Sequence, residues 1–198
     1  MKIYKIFISK IIIICLKVIG IKINNNARIL SFPKLKIKGK PDNIIIGNVE
    51  ILGKVDIRNR ENGKIVIEDH CKIESDCRFV SAREGTICIG SGSTITTGAI
   101  LNGGGNISIG KNCILGNRIT INANEHVFKK DKLIKLQGFV HKDVTIEDDC
   151  WFGTNVVINK GVTIKTGSVI GASSLVNKDT EAYSINVGIP AKKIGQRP

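Results

Sequence analysis

From Ile67 to Val176 an apolar residue recurs every six positions. The series runs Ile67, Ile73, Phe79, then Ile89, Ile95, Leu101, then Ile109, Leu115, Ile121, and after a gap Ile146, Phe152, Ile158, Ile164, Ile170, Val176. A looser turn opens at Ile46 and Leu52 and loses the beat at Arg58. Four residues after the marks stand small or medium side chains, among them Cys71, Cys77, Ser93, Ala99, Gly105, Cys113, Cys150, Ser168, Ser174 and Thr180. Glycine follows many marks directly, as at Gly90, Gly110, Gly116, Gly153 and Gly171, where a tight corner is easily taken. Two inward side chains per six residues predict short parallel strands joined by near-minimal corners and wound into a prism. The expected fold is all-β, a parallel β-helix of the hexapeptide type with about six coils.

Three units make one coil of 18 residues. Coil starts at 46, 67, 89, 109, 146 and 164 are spaced by 21, 22, 20, 37 and 18, so a single long insertion, of 19 residues, interrupts the winding. It follows His126 and occupies residues 127–145. The expected organisation is therefore a β-helix over 44–183, a basic hydrophobic segment over 1–43 and a tail over 184–198.

The repeat accounts for most of the cysteines. Cys71, Cys77, Cys113 and Cys150 fall at the small inward position, where a thiol packs as a compact hydrophobe. No CxxC pair and no secretory signal is evident, which points to a reduced cytoplasm.

Net charge is +13, and ten of the 30 Lys and Arg lie in residues 1–40, before the first acid, Asp42. The opening MKIYKIFISKIIIICLKVIGIKI is greasy, but its lysines interrupt it below the roughly 17–25 apolar residues that a spanning helix needs. Two readings stand: a cap on the core, or contact of residues 1–40 with an anionic inner-membrane surface. Charge without interleaved aromatics gives no basis for nucleic-acid binding.

The C-terminal third, CWFGTNVVINKGVTIKTGSVIGASSLVNKD followed by INVGIPAKKIG, resembles the hexapeptide-repeat acyltransferases, in particular the maltose, galactoside, xenobiotic and polysaccharide O-acetyltransferases. The resemblance implies a left-handed β-helix, a homotrimer, and a site between subunits in which acetyl-CoA, as co-substrate, runs along a groove. It implies that His126, at the start of the extruded loop, is the catalytic base. That role suits the chemistry, because a sugar hydroxyl attacks a thioester poorly unless its proton is removed, and an imidazole can take that proton and pass one to the departing thiolate. By resemblance, Asn117, Glu125 and Trp151 line the acceptor or acyl region. Gly153 and Thr154 offer backbone N–H groups to the thioester arm or oxyanion. Ala172 gives the pantetheine close passage, Asn177 and Lys178 lie further along that groove, and Lys192 and Lys193, after Pro190, sit near the CoA phosphates. The residues before His126 depart from those of many relatives. His70 and His141 read as surface residues.

No metal is expected, since histidines at 70, 126 and 141 lack the spacing of a three-histidine zinc site. The expected function is O-acetylation of a sugar in a surface polysaccharide or its precursor. Alternatives are a small soluble acceptor (amino sugar, antibiotic or serine), or a non-catalytic β-helix scaffold.

Overall fold

The computed structural model describes residues 2–198, with side chains from Tyr4 onward. A helix, Lys2–Val18, precedes a three-sided parallel β-helix. Its first face holds seven strands from Lys22–Ile23 to Thr163–Ile164, and its third holds seven from Lys34–Ile37 to Leu175–Val176. Seven second-face strands run from Arg28–Ile29 to Val169–Ile170, and Ser184–Gly188 and Ala191–Gln196 extend that face. The winding is that of the left-handed family fold.

Every coil stacks on the last in strict register, so each inward position becomes a column. On the second face Ile51, Ile73, Ile95, Leu115, Phe152 and Ile170 lie one above another. All the six-residue marks from Ile67 to Val176 are buried. The small inward series is buried too, except Gly105, which the two extra residues of that coil push out to a corner. The corners require left-handed backbone, and outside glycine they obtain it at ten residues, Asp76, Asn112, Arg118, Asp149, Asn155 and Ser173 among them. Burial raises the Cys71 and Cys77 thiols to about 11, which keeps them protonated packing groups.

The β-helix begins earlier than the sequence pattern indicates. Residues 22–37 form a complete first coil, so there are seven coils rather than about six, and the expected appendage 1–43 divides into a helix and a coil. The pattern fails there because Lys34–Ile37 has no fully buried residue and because the step from Ile46 to the inward Ile51 is five residues rather than six, which leaves Leu52 and Arg58 one position off the beat. Ile57 and Asn59 point inward, while Arg58 pairs outside with Asp56 at 2.6 Å. Leu16, Ile12 and Ile13 close the open end of coil one, and Ser9 ties the helix down by donating to Ala27 O (3.2 Å) and accepting from Ile29 N (2.8 Å). The tail 184–198 is an antiparallel hairpin bonded to coil seven.

Side chains also link successive coils. Glu147 accepts from Lys165 Nζ (2.8 Å) and from Thr166 N and Oγ1 (both 2.9 Å). These bonds, led by that from Lys165, lower its pKa from 4.5 to about 2. A depressed folded-state value means that the stabilisation is complete above about 4.5 and is lost as pH falls towards about 2. Glu147→Gln is therefore expected to lower the melting midpoint at neutral pH by at most about 2–4 °C, since the group is partly exposed. The difference from wild type should close across that acid window. A gap constant with pH would assign the loss to packing instead.

Candidate active site

Coil five ends on the third face at Thr120–Asn122, and the chain leaves the prism at the edge leading back to the first face. There Asn124–His126 pairs antiparallel with Phe139–His141, in the register Asn124 opposite His141 and His126 opposite Phe139. Strand alternation puts Asn124, His126, Phe139 and His141 on one side of this ribbon, and Glu125 and Val140 on the other. The His126 and Phe139 rings stack at 4.1 Å, which sets the orientation of the imidazole. The loop beyond is clipped by Gln137, which accepts from Lys129 N (2.8 Å) and donates to Lys129 O (2.7 Å) and Lys132 O (2.6 Å).

The ribbon leans back along the edge because coil four makes room for it with the run Asn102–Gly103–Gly104–Gly105–Asn106. Gly104 has φ +146°, and a Cβ there would lie 2.5 Å from His141 Nδ1. Asn124 Nδ2 donates to Gly103 O (2.8 Å), and Asn106 donates through N (2.8 Å) and Nδ2 (3.0 Å) to Asp143. Between ribbon and prism lies a cleft of about 350 Å³, walled by Arg60 and Glu61, by Arg83, by Asn102 and Gly104, and by Phe139 and His141. Arg83 donates to His141 Nε2 at 3.4 Å, and neither Arg60 nor Arg83 pairs with a carboxylate among the described residues. The cleft thus carries two guanidiniums on the same side of the ribbon as His126.

The other expected residues lie elsewhere on the chain. Asn117, Gly153, Thr154 and Ala172 stack along the edge between second and third faces. Asn117 O accepts from Asn155 N and Thr154 O from Ser173 N, both at 2.8 Å. A Cβ on Gly153 would lie 2.6 Å from Ala172 N, so these corners touch. Trp151 is on the second face, 54% exposed beside Ile114 and Val169. Below them on the same edge is a depression of about 370 Å³ lined by Lys54, Asp76, Arg78 and Gly98, with no histidine.

Several expectations need correction. Glu125 does not face the cleft; it turns to the opposite side and pairs with Lys160 of the next coil, anchoring the ribbon. Gly153 N–H is engaged in the ladder, donating to Ile170 O at 2.8 Å, which leaves Thr154 as the backbone donor to consider. Asn177 and Lys178 lie on the His126 edge, beyond the end of Leu175–Val176, and not on the edge of Ala172. Lys193 is tied to Glu181 Oε2 at 2.5 Å, while Lys192 is exposed next to the Pro190 turn. His141 belongs to the cleft wall rather than the open surface.

Residues 143–178 match the family model described as bacterial transferase hexapeptide (six repeats). Galactoside O-acetyltransferase of Escherichia coli (strain K12) is 34% identical over 89 residues, 44% of this chain; that match spans 43% of the relative's length, less than half of it. The dTDP-4-amino-4,6-dideoxy-D-glucose acyltransferase of Escherichia coli is 30% identical over 158 residues, 76% of this chain and 80% of the relative. The chain belongs to the hexapeptide-repeat transferases. Its fold is shared with AntD, an N-acyltransferase from Bacillus cereus solved with dTDP-4-amino-4,6-dideoxyglucose and coenzyme A, at 24% identity, 92% and 88% coverage and a TM-score of 0.63.

In this hexapeptide-repeat transferase the sequence pattern overlooks Phe139, Lys160, Gln137 and the glycine run. The signal for the last is legible: three consecutive glycines in the coil before an extruded loop mark a corner that something must approach closely. Gly104→Val is expected to push the ribbon off the prism. An ångström of displacement of a reacting group costs about 10²-fold in rate, so any acyl transfer that uses the ribbon should lose kcat/KM by that order with CoA affinity little changed. Steady-state kinetics beside a CoA titration will check it, and an unchanged kcat/KM would detach the ribbon's position from catalysis.

Proposed function

We propose that the protein transfers an acetyl group from acetyl-CoA to a sugar hydroxyl in a cell-surface polysaccharide or its precursor, as a homotrimer, with His126 as general base. The observation that carries this reading is the placement of His126 on the ribbon side that faces the cleft, stacked on Phe139, which is itself a wall of that cleft. His126 takes the hydroxyl proton as the sugar oxygen bonds to the thioester carbon. The tetrahedral intermediate then collapses, the C–S bond breaks, and the imidazolium returns the proton to the CoA thiolate. Thr154 N–H is the donor assigned to the oxyanion. Trp151, on the second face, and the Gly153–Ala172 corners beside it lie away from the edge that carries His126. A site needing both draws on two copies, which supports the trimer, as do the exposed Phe128, Leu133, Ile134 and Leu136 of the loop.

Arg60 and Arg83 suit an acceptor that carries a carboxylate or phosphate. Arg83→Gln is expected to raise KM for such an acceptor about tenfold and to leave a neutral sugar unaffected, since a charge-assisted hydrogen bond is worth roughly 1.5–3 kcal/mol. An equal effect on both acceptors would remove the guanidinium from anion recognition.

A second reading, N-acylation of a nucleotide-linked amino sugar, is favoured by the relative that spans most of the chain and is named for that substrate. Calorimetric titration with CoA tests the shared part, and absence of binding at millimolar concentration would leave a scaffold. Mass spectrometry of surface glycans from cells lacking the protein tests the acceptor, where unchanged O-acetylation would discard the first reading.

A further inference from the structure

The N-terminal helix has two apolar faces, and the core uses only one. Ser9, Ile12, Ile13 and Leu16 are buried against coil one. On the opposite side Tyr4, Phe7, Ile11, Ile14 and Val18 recur at intervals of three and four residues, which aligns them in one stripe. They stand 70, 63, 45, 61 and 82% exposed. A cap needs one apolar face; a helix with a second one, continuous over its whole length, has a further occupant to meet.

The charges identify that occupant. Lys5, Lys10 and Lys17 are exposed, and Lys17 donates to Asn25 rather than to a carboxylate. No acidic residue occurs before Asp42, which itself pairs with Lys22 at 3.6 Å. A second copy pressing the same stripe would bring lysines against lysines with no acid on either helix to offset them. A surface that is both apolar and negative meets both properties, and that is the interface of an anionic bilayer. Among the described residues no helix is long and apolar enough to cross a membrane, so the contact is a lateral one. We propose that the outward stripe of Lys2–Val18 seats this protein on an anionic lipid surface, with the helix lying in the headgroup region and still closing the β-helix behind it.

The test is co-sedimentation of the full chain with vesicles of phosphatidylglycerol mixed with phosphatidylcholine, against vesicles of phosphatidylcholine alone. The double variant Phe7→Glu/Ile14→Glu changes only exposed positions, and its melting midpoint checks that the cap is intact. Wild type should bind the anionic vesicles about tenfold or more better than the neutral ones and be released by high salt. The double variant should lose that binding and keep the wild-type midpoint. The inference is overturned if wild type stays in the supernatant with anionic vesicles, or if the double variant binds as well as wild type. It is also overturned if the substitutions split an assembly of copies in sedimentation velocity, which would make a second chain the occupant. CoA titration of both proteins is independent of these outcomes, so a failure here is distinguishable from failure of the acyltransferase reading.

Discussion

His126→Ala is expected to lower the turnover of acetyl transfer by about 10²–10⁴-fold, the usual contribution of a positioned general base. CoA affinity should remain within a few-fold, because the imidazole sits on the ribbon while the corners proposed for the pantetheine lie on another edge. The comparison is therefore a split between kcat, which collapses, and the CoA dissociation constant, which does not. Phe139→Leu separates chemistry from positioning: the base is retained but its stacking partner at 4.1 Å is removed, and a smaller loss of roughly tenfold is expected. Full turnover in His126→Ala would remove the base and the mechanism built on it.

Phe152→Ala should produce the largest loss of stability. The ring is completely buried in the second-face column between Leu115 and Ile170. Truncating a buried phenylalanine costs about 3–5 kcal/mol, so the melting midpoint at fixed protein concentration should fall by roughly 6–20 °C. Stacked coils contact only their neighbours, and the damage should centre on coils five to seven. Hydrogen exchange should then show faster opening around Trp151–Phe152 and its flanking strands, with coils one to three protected as before. Loss of protection spread evenly along the chain would mean that the coils unfold as one unit.

The core was legible because the spacing of inward side chains is a direct imprint of a coil with three short strands. From Ile67 to Val176 each expected inward mark is an inward residue. The first coil escaped because its third strand, Lys34–Ile37, is only half-buried and its lysines mask the alternation. The single long interruption after His126 was also legible, as a break in an otherwise regular count. What the interruption builds was not. A run such as FVH at 139–141 carries no mark saying that it will pair back on NEH at 124–126, because antiparallel pairing across a long loop depends on the space left by Gly103–Gly105 in another coil. The outward turn of Glu125 follows from that pairing alone, and so does the entry of His141 into the cleft. Family resemblance supplied candidate residues but no edge for them, and it is the edges that separate Trp151 from His126.

Because coils stack at a constant rise of about 4.8 Å, the prism also works as a ruler. Four steps separate the first coil from the one that launches His126, so the ribbon leaves the prism on the order of 19 Å above the first coil. Adding or removing one whole coil between them would change that height by a single step without rotating any corner, which makes the distance from the foot of the prism to the imidazole adjustable independently of the ribbon's own geometry.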